Sequence, residues 1–165
     1  MLEDLEAYGL LPWVMLAFLI LVFILRSPRM KGALGETKVR AATGLRLSGR
    51  KYRSVHNLTL PTPDGTTQVD HVIVSRFGVF VIETKNLTGW IFGDERSRQW
   101  TQVIYQNRYR FFNPLRQNYK HVKAVQSLLA LQPRCLHSVV VFTGGGRFKT
   151  AMPPNVGRRG SLVRY

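Results

Sequence analysis

Cysteine and acidic side chains are the scarce components of this chain. Cys135 is the lone cysteine. No disulfide can close within the chain and no cysteine-based zinc site can form; the thiol is expected in the core and fits a reducing compartment. Nine Asp and Glu stand against 24 Lys and Arg, a formal charge of +15. Residues 1–31 balance Glu3, Asp4 and Glu6 against Arg26, Arg29 and Lys31, so the whole surplus falls on residues 32–165. That stretch has six acids, Glu36, Asp64, Asp70, Glu83, Asp94 and Glu95, and chemistry that needs carboxylates must draw on them. A charge this basic implies a polyanion partner, either nucleic acid or an anionic lipid surface. Sequence repeats are lacking, and Gly144-Gly145-Gly146 is without the Lys-Ser/Thr of a phosphate loop, so it reads as a flexible turn.

Charge is also missing from Ala7 to Leu25, nineteen residues in a row. At about 1.5 Å per residue such a helix spans a hydrocarbon core of roughly 30 Å. The acidic start and the Leu25-Arg26-Ser27-Pro28-Arg29 that follows do not resemble a cleaved signal peptide. Arg26, Arg29 and Lys31 at its C-terminal end place the remainder in the cytoplasm by the positive-inside rule. The expected organisation is a single-pass anchor in the cell (inner) membrane and linker over residues 1–31, with the helix at about 7–25, and one globular domain over 32–165. The 45% apolar content is ordinary for a chain that folds.

Within that domain, Glu36 to Leu47 has helical spacing, with Gly44 weakening its middle. Tyr52 to Leu60 is rich in β-formers and is followed by the turn Pro61-Thr62-Pro63-Asp64-Gly65. Val69–Val74 and Val79–Lys85 are the most strand-like segments, joined by Ser75-Arg76-Phe77-Gly78, whose glycine suits a positive φ. Their apolar residues fall on both faces, so this hairpin should be central and covered on each side. Trp90-Ile91-Phe92 and Trp100 to Val103 form a further hairpin around Gly93-Asp94-Glu95. Asn113-Pro114 starts a helix, with Leu115, Tyr119, Val122, Val125 or Gln126, and Leu129 as its core stripe and Pro133 as its end. Ser138 to Phe142 is a buried-type strand, and Pro153-Pro154 opens a basic tail. These elements make a mixed α/β or α+β domain.

A four-residue turn at Ser75–Gly78 puts Val74 opposite Val79, Val72 opposite Val81 and Asp70 opposite Glu83. Opposed carboxylates repel unless something offsets them, and a divalent cation does so. Lys85 lies on the same strand face as Glu83. Two carboxylates, a backbone carbonyl and a lysine suit phosphodiester hydrolysis: oxygen ligands for Mg²⁺ or Mn²⁺, and a cation beside the phosphate. The plain alternative is a surface Glu83–Lys85 ion pair with Asp70 beside a turn.

These residues also carry a resemblance. Gly35-Glu36, Gln68 to Val74 with Asp70-His71 at its centre, Gly78 to Lys85, Gly89-Trp90-Ile91 and Phe112-Asn113-Pro114-Leu115-Arg116-Gln117-Asn118 resemble the nuclease-related domain, NERD, over about Gly32 to Val156. That family is assigned to the PD-(D/E)xK nuclease superfamily. The resemblance implies a restriction-endonuclease-like core, a central mixed sheet flanked by helices in the order helix, three strands, helix, strand. It implies metal ligation by Asp70, Glu83 and Glu36, catalysis by Lys85 with Asp70 and Glu83, and a site role for Gln117. The superfamily's Pro-Asp is Val69-Asp70 here. Glu36 is equally explained by helix-dipole stabilisation in a first turn.

Gln117 and His121, one turn apart, are placed to touch substrate phosphates, although the helical wheel turns that face away from the apolar stripe and toward solvent. His71 points to the opposite strand face, as a packing histidine. Arg96, Arg98, Arg108, Arg110, Arg116 and Lys120 join His121 as candidate nucleic-acid contacts, with Lys123 on the same helix and stacking from Tyr105, Tyr109 and Phe111. An ordinary edge strand also fits the Arg-aromatic alternation. The expected function is therefore a membrane-anchored, metal-dependent nuclease acting on DNA. A catalytically weak nucleic-acid-binding or membrane-associated module on the same fold is the alternative.

Overall fold

The computed structural model describes residues 14–20 and 52–159. The chain divides into two units, Met1–Leu34 and Gly35–Tyr165. In the first, residues 14–20 are helical with exposed side chains, and no helix among the described residues is long and apolar enough to cross a membrane. The helix expected at Glu36 to Leu47, and Glu36 itself, lie outside the described residues.

The second unit is a mixed α+β fold with two mixed sheets and a single α-helix among its described residues. Strands β1 (Tyr52–Thr62) and β2 (Gly65–Ser75) form a hairpin around Pro63-Asp64. Both strands run further into the turn than expected, and Pro61 is accommodated because β1 is an edge strand, where a missing N–H costs no ladder bond. Strand β3 (Gly78–Lys85) pairs antiparallel with β2 in the expected register, Val74 with Val79 and Val72 with Val81. The φ of +133° at Gly78 explains the glycine at that turn.

Strands β4 (Trp90–Phe92), β5 (Gln99–Ile104) and β6 (Asn107–Phe112) form an antiparallel meander, β6 at its edge. Helix α1 (Pro114–Leu129) follows, with Asn113 as its N-cap accepting from the Leu115 N–H, as expected. It ends on Ala130 in the left-handed conformation, three residues before Pro133. After a 3₁₀ turn at Pro133–Cys135, where Cys135 is half-buried, β7 (Leu136–Phe142) pairs parallel with β3. Two short strands complete the sheets: β8 (Arg147–Phe148) beside β4, and β9 (Val156–Arg158) beside β7. The orders are β1-β2-β3-β7-β9 and β6-β5-β4-β8.

Two sequence expectations need correction here. The glycine triplet is no loose turn: a Cβ on Gly144 would sit 2.1 Å from the Leu87 carbonyl oxygen, and the Gly146 N–H donates to that same carbonyl. The segment after Pro153-Pro154 is not simply a tail, since Val156 is buried and β9 extends the larger sheet.

The central position of β3 is reflected in its burial on both faces. Val81 packs with Val69, Val72, Val79 and, from α1, Ala124 and Val125. Ile82 packs on the other side with Ile73, Val139 and Val141. A third cluster, Ile91, Trp100, Val140, Phe142 and Val156, joins the two sheets near the C-terminal ends of β3 and β7. Each fully buried aliphatic side chain stabilises by about 1.5–3 kcal/mol relative to exposure, and together these clusters fix where the last residues of β3 stand.

Candidate active site

The last residues of β3 are Glu83, Thr84 and Lys85, and Glu83 is a carboxylate that follows an apolar run on the strand, 1% exposed. A buried charge is tolerated only when paired and hydrogen-bonded. The Lys85 ammonium donates to its Oε1 at 2.7 Å, and His121 Nε2 lies 3.1 Å from its Oε2. Lys85 also donates to Gln117 Oε1 at 2.9 Å. His121 Nδ1 in turn lies 2.9 Å from Thr67 Oγ1 on β2.

The face that α1 turns to the sheet therefore differs from the expected stripe. Its buried residues are Pro114, Asn118, His121, Ala124 and Val125, whereas Tyr119 and Leu129 are exposed. Gln117 and His121 do not face solvent: Gln117 is half-buried against Lys85, and His121 is 3% exposed. His121 is accordingly withdrawn from the nucleic-acid contacts and placed behind Glu83. Asn118, absent from the expected site, donates from Nδ2 to the Val81 carbonyl at 2.9 Å and lies within reach of Ser138 Oγ and the Val139 carbonyl, tying α1 to β3 and β7. One signal pointed this way. An acid on a doubly covered strand demands polar partners from the covering helix, and Gln117, Asn118 and His121 are the polar residues that share one side of α1.

Asp70 stands where β2 leaves β3. The ladder ends at His71–Ile82, one step before Asp70 would face Glu83, so the expected direct pair is not formed. On the other side, Asn57 takes a φ of +53° between the pairs His56–His71 and Leu58–Val69. With the strands parting, the Asp70 carboxylate takes over a backbone role: its Oδ2 accepts from the Thr84 N–H at 2.7 Å. Asp70 thus reaches the peptide adjoining Glu83 by side chain rather than by register. His71 is fully buried, with Nδ1 2.7 Å from His56 Nδ1, in keeping with a packing role. Beyond Asp70 the β1–β2 hairpin tip and α1 border a cleft of about 960 Å³, lined in part by Thr66, Thr67, Tyr119, Lys120 and Lys123.

Asp70 and Glu83 are hard oxygen donors of the kind Mg²⁺ and Mn²⁺ take. No group of three His, Cys, Asp or Glu among the described residues is placed to hold a metal. Mg²⁺ is commonly held by one or two carboxylates plus waters and substrate phosphate, and Asp70 and Glu83 are carboxylates of that class, with Asp70 Oδ2 on the Thr84 N–H and both Glu83 oxygens on nitrogen partners.

The remaining expected contacts are surface residues. Arg96 and Arg98 are exposed on the loop between β4 and β5, Arg108 and Arg110 on β6, and Arg116 and Lys120 on α1. Arg116 donates to the Arg96 carbonyl at 2.7 Å. The loop is held by Asn113, whose Nδ2 donates to the Ser97 carbonyl at 2.7 Å, and by Trp100, whose indole N–H donates to the Asp94 carbonyl at 2.8 Å. The Ser97 hydroxyl, with the N–H groups of Ser97 and Arg96, holds the Asp94 carboxyl below its ordinary range. Phe111 is no stacking face for a ligand, because its ring packs on Trp100.

Comparison with known proteins identifies the family. A protein of Bacillus anthracis, described as uncharacterized, is 44% identical over 110 residues, which cover 66% of this chain and 51% of the relative. The chain thus spans about half the length of the curated relative it matches. The nuclease-related domain family matches residues 31–143, which takes in Asp70, Glu83, Lys85, Gln117 and His121. On that match, this chain belongs to the nuclease-related domain family.

Proposed function

We propose that this protein is a metal-dependent nuclease that hydrolyses phosphodiester bonds, of DNA in the first instance, on a restriction-endonuclease-like core. The observation that carries the proposal is the Lys85 ammonium, held between Glu83 Oε1 and Gln117 Oε1 beside a buried carboxylate. Asp70 and Glu83, with Glu36 as a third, would hold Mg²⁺ or Mn²⁺. The metal, when bound, supplies a Lewis acid for the phosphate and lowers the pKa of water. Gln117 orients the Lys85 ammonium, and Lys85 offsets charge that develops on the phosphate oxygens. Arg96, Arg98, Arg108, Arg110, Arg116 and Lys120 hold the polyanion by its backbone, without base readout.

The apolar run Ala7 to Leu25 supports the second part of the proposal, a single-pass anchor in the cell (inner) membrane with the nuclease domain on the cytoplasmic side. Carbonate extraction of membranes tests it: retention in the pellet is expected, and release to the supernatant removes the anchor from the account.

Incubation of the full chain with linear and circular DNA, with and without Mg²⁺ or Mn²⁺, tests the chemistry. Cleavage only with metal is expected. A second reading, a binding module with little hydrolysis, is favoured by one observation: both Glu83 oxygens already have nitrogen partners. Binding without hydrolysis under every divalent ion would select that reading.

A further inference from the structure

The four-stranded sheet has two unlike faces. Ile91, Trp100 and Phe111 alternate to the side that packs into the core. The opposite side carries exposed side chains among the described residues. Across it runs one transverse row of direct cross-strand neighbours, Arg147 on β8, Trp90 on β4, Val103 on β5 and Arg108 on β6. Arg110 and Phe112 continue the same face along β6. None of these six side chains is buried, and Trp90 is 50% exposed. No Asp or Glu lies on strands β4, β5, β6 or β8. The Lys149 ammonium rests 4.5 Å from the Trp90 ring centroid, so the π face is presented to a partner from solvent.

We propose that this open sheet face is a platform for an unpaired nucleic-acid strand, with a base stacked on Trp90 and phosphates held by Arg108, Arg110 and Arg147. The ligand class follows from the residue types together. Cations without acids select a polyanion. An aromatic at the centre of the row selects one whose ring faces are free, and a duplex hides those faces while single strands expose them. A bilayer is a poorer match. Trp90 opens strand β4 between Arg147 and Val103, in a row ended by Arg147 and Arg108, and not at a protruding tip from which it could reach acyl chains. The incoming base displaces Lys149 from the ring and leaves its ammonium for a phosphate.

The platform is also placed to serve the candidate active site. Trp90 follows Lys85 by five residues, at most about 17 Å of extended chain. The inference rests on the nuclease reading for its substrate and adds that the strand engaged there is single. It adds Trp90 as the stacking residue of the open face, the face opposite to the one on which Tyr109 and Phe111 alternate.

Binding of a fluorescein-labelled oligothymidylate and of a mixed-sequence duplex to the full chain in detergent, in EDTA so that no hydrolysis intervenes, tests the platform. Trp90→Ala is expected to weaken oligothymidylate binding about tenfold and to leave duplex binding within twofold, while Trp90→Phe restores most of the loss. Arg108→Ala with Arg110→Ala should lower the salt-dependence slope on the oligothymidylate by about 1.4, roughly 0.7 per lost phosphate contact. Circular dichroism checks that each variant is folded. Unchanged oligothymidylate binding in folded Trp90→Ala overturns the proposal, as does an equal loss on the duplex. So does a loss confined to retention on phosphatidylglycerol vesicles, which would make the face a membrane contact. Binding that passes these tests in a protein showing no hydrolysis would end the nuclease reading and leave the platform; cleavage with unchanged binding in Trp90→Ala would do the reverse.

Discussion

Replacing Lys85 by methionine leaves the Glu83 carboxylate buried with a single polar partner. Glu83 is 1% exposed, and the Lys85 contact is 2.7 Å. At an effective dielectric of about 20 that separation corresponds to roughly 6 kcal/mol of attraction before desolvation is subtracted. Removing one member of a fully buried pair costs about 3–5 kcal/mol. The Lys85 side chain retains 22% exposure and His121 stays on Oε2, so the lower end applies, about 3 kcal/mol. With a urea m-value of about 2 kcal/mol/M, the unfolding midpoint of Lys85→Met should fall by about 1.5 M. Adding Glu83→Gln removes the stranded charge and keeps an oxygen for His121. The double variant should therefore be more stable than Lys85→Met, by about 1 kcal/mol or more. Urea denaturation followed by circular dichroism gives both numbers. A double variant less stable than Lys85→Met, with the two single losses simply adding, would refute the claim that Glu83 is an electrostatic liability compensated by Lys85. Such a charge on an apolar strand is the local inconsistency expected of a functional site.

Asn113→Ala removes both the helix cap and the donor to Ser97, worth about 1 and 1–3 kcal/mol, and scanning calorimetry should show a melting temperature lower by about 5–12 °C; Asn113→Ser, which restores the cap alone, should recover only part of this. Gly144→Ala brings a Cβ to 2.1 Å from a backbone carbonyl that cannot swing aside, and thermal unfolding should register a loss of at least about 2 kcal/mol. Asp94 has a folded-state pKa below its unfolded value, so its hydrogen bonds add stability above the ordinary carboxylate range and lose it as pH falls through the folded value. Asp94→Ala should therefore be less stable than the parent at neutral pH and approach it in strong acid; a gap that widens on acidification would contradict the assignment.

Much of the fold was legible from local chemistry. The Ser75–Gly78 turn fixed the β2–β3 register, and Asn113-Pro114 marked the start of α1 because cap and first-turn preferences act over a few residues. The failures came where tertiary partners decide. The apolar wheel put Tyr119 and Leu129 inside, yet α1 turns Asn118 and His121 inward because β3 presents Glu83 and open carbonyls to it. Strands β8 and β9 are too short for periodicity to register, and they form because other strands offer them edges. The Asp70–Glu83 pairing, extrapolated from alternation, stopped one residue short, where Asn57 takes a left-handed conformation and β2 departs from β3.

The proposed chemistry turns on Lys85. Cleavage of linear DNA by purified full-length protein and by Lys85→Ala, assayed side by side with Mg²⁺ and Mn²⁺, tests it most directly. Metal-dependent cleavage by the parent and its loss in a Lys85→Ala variant that still binds DNA is the predicted result. Equal cleavage by the two proteins would contradict the active site described for this chain.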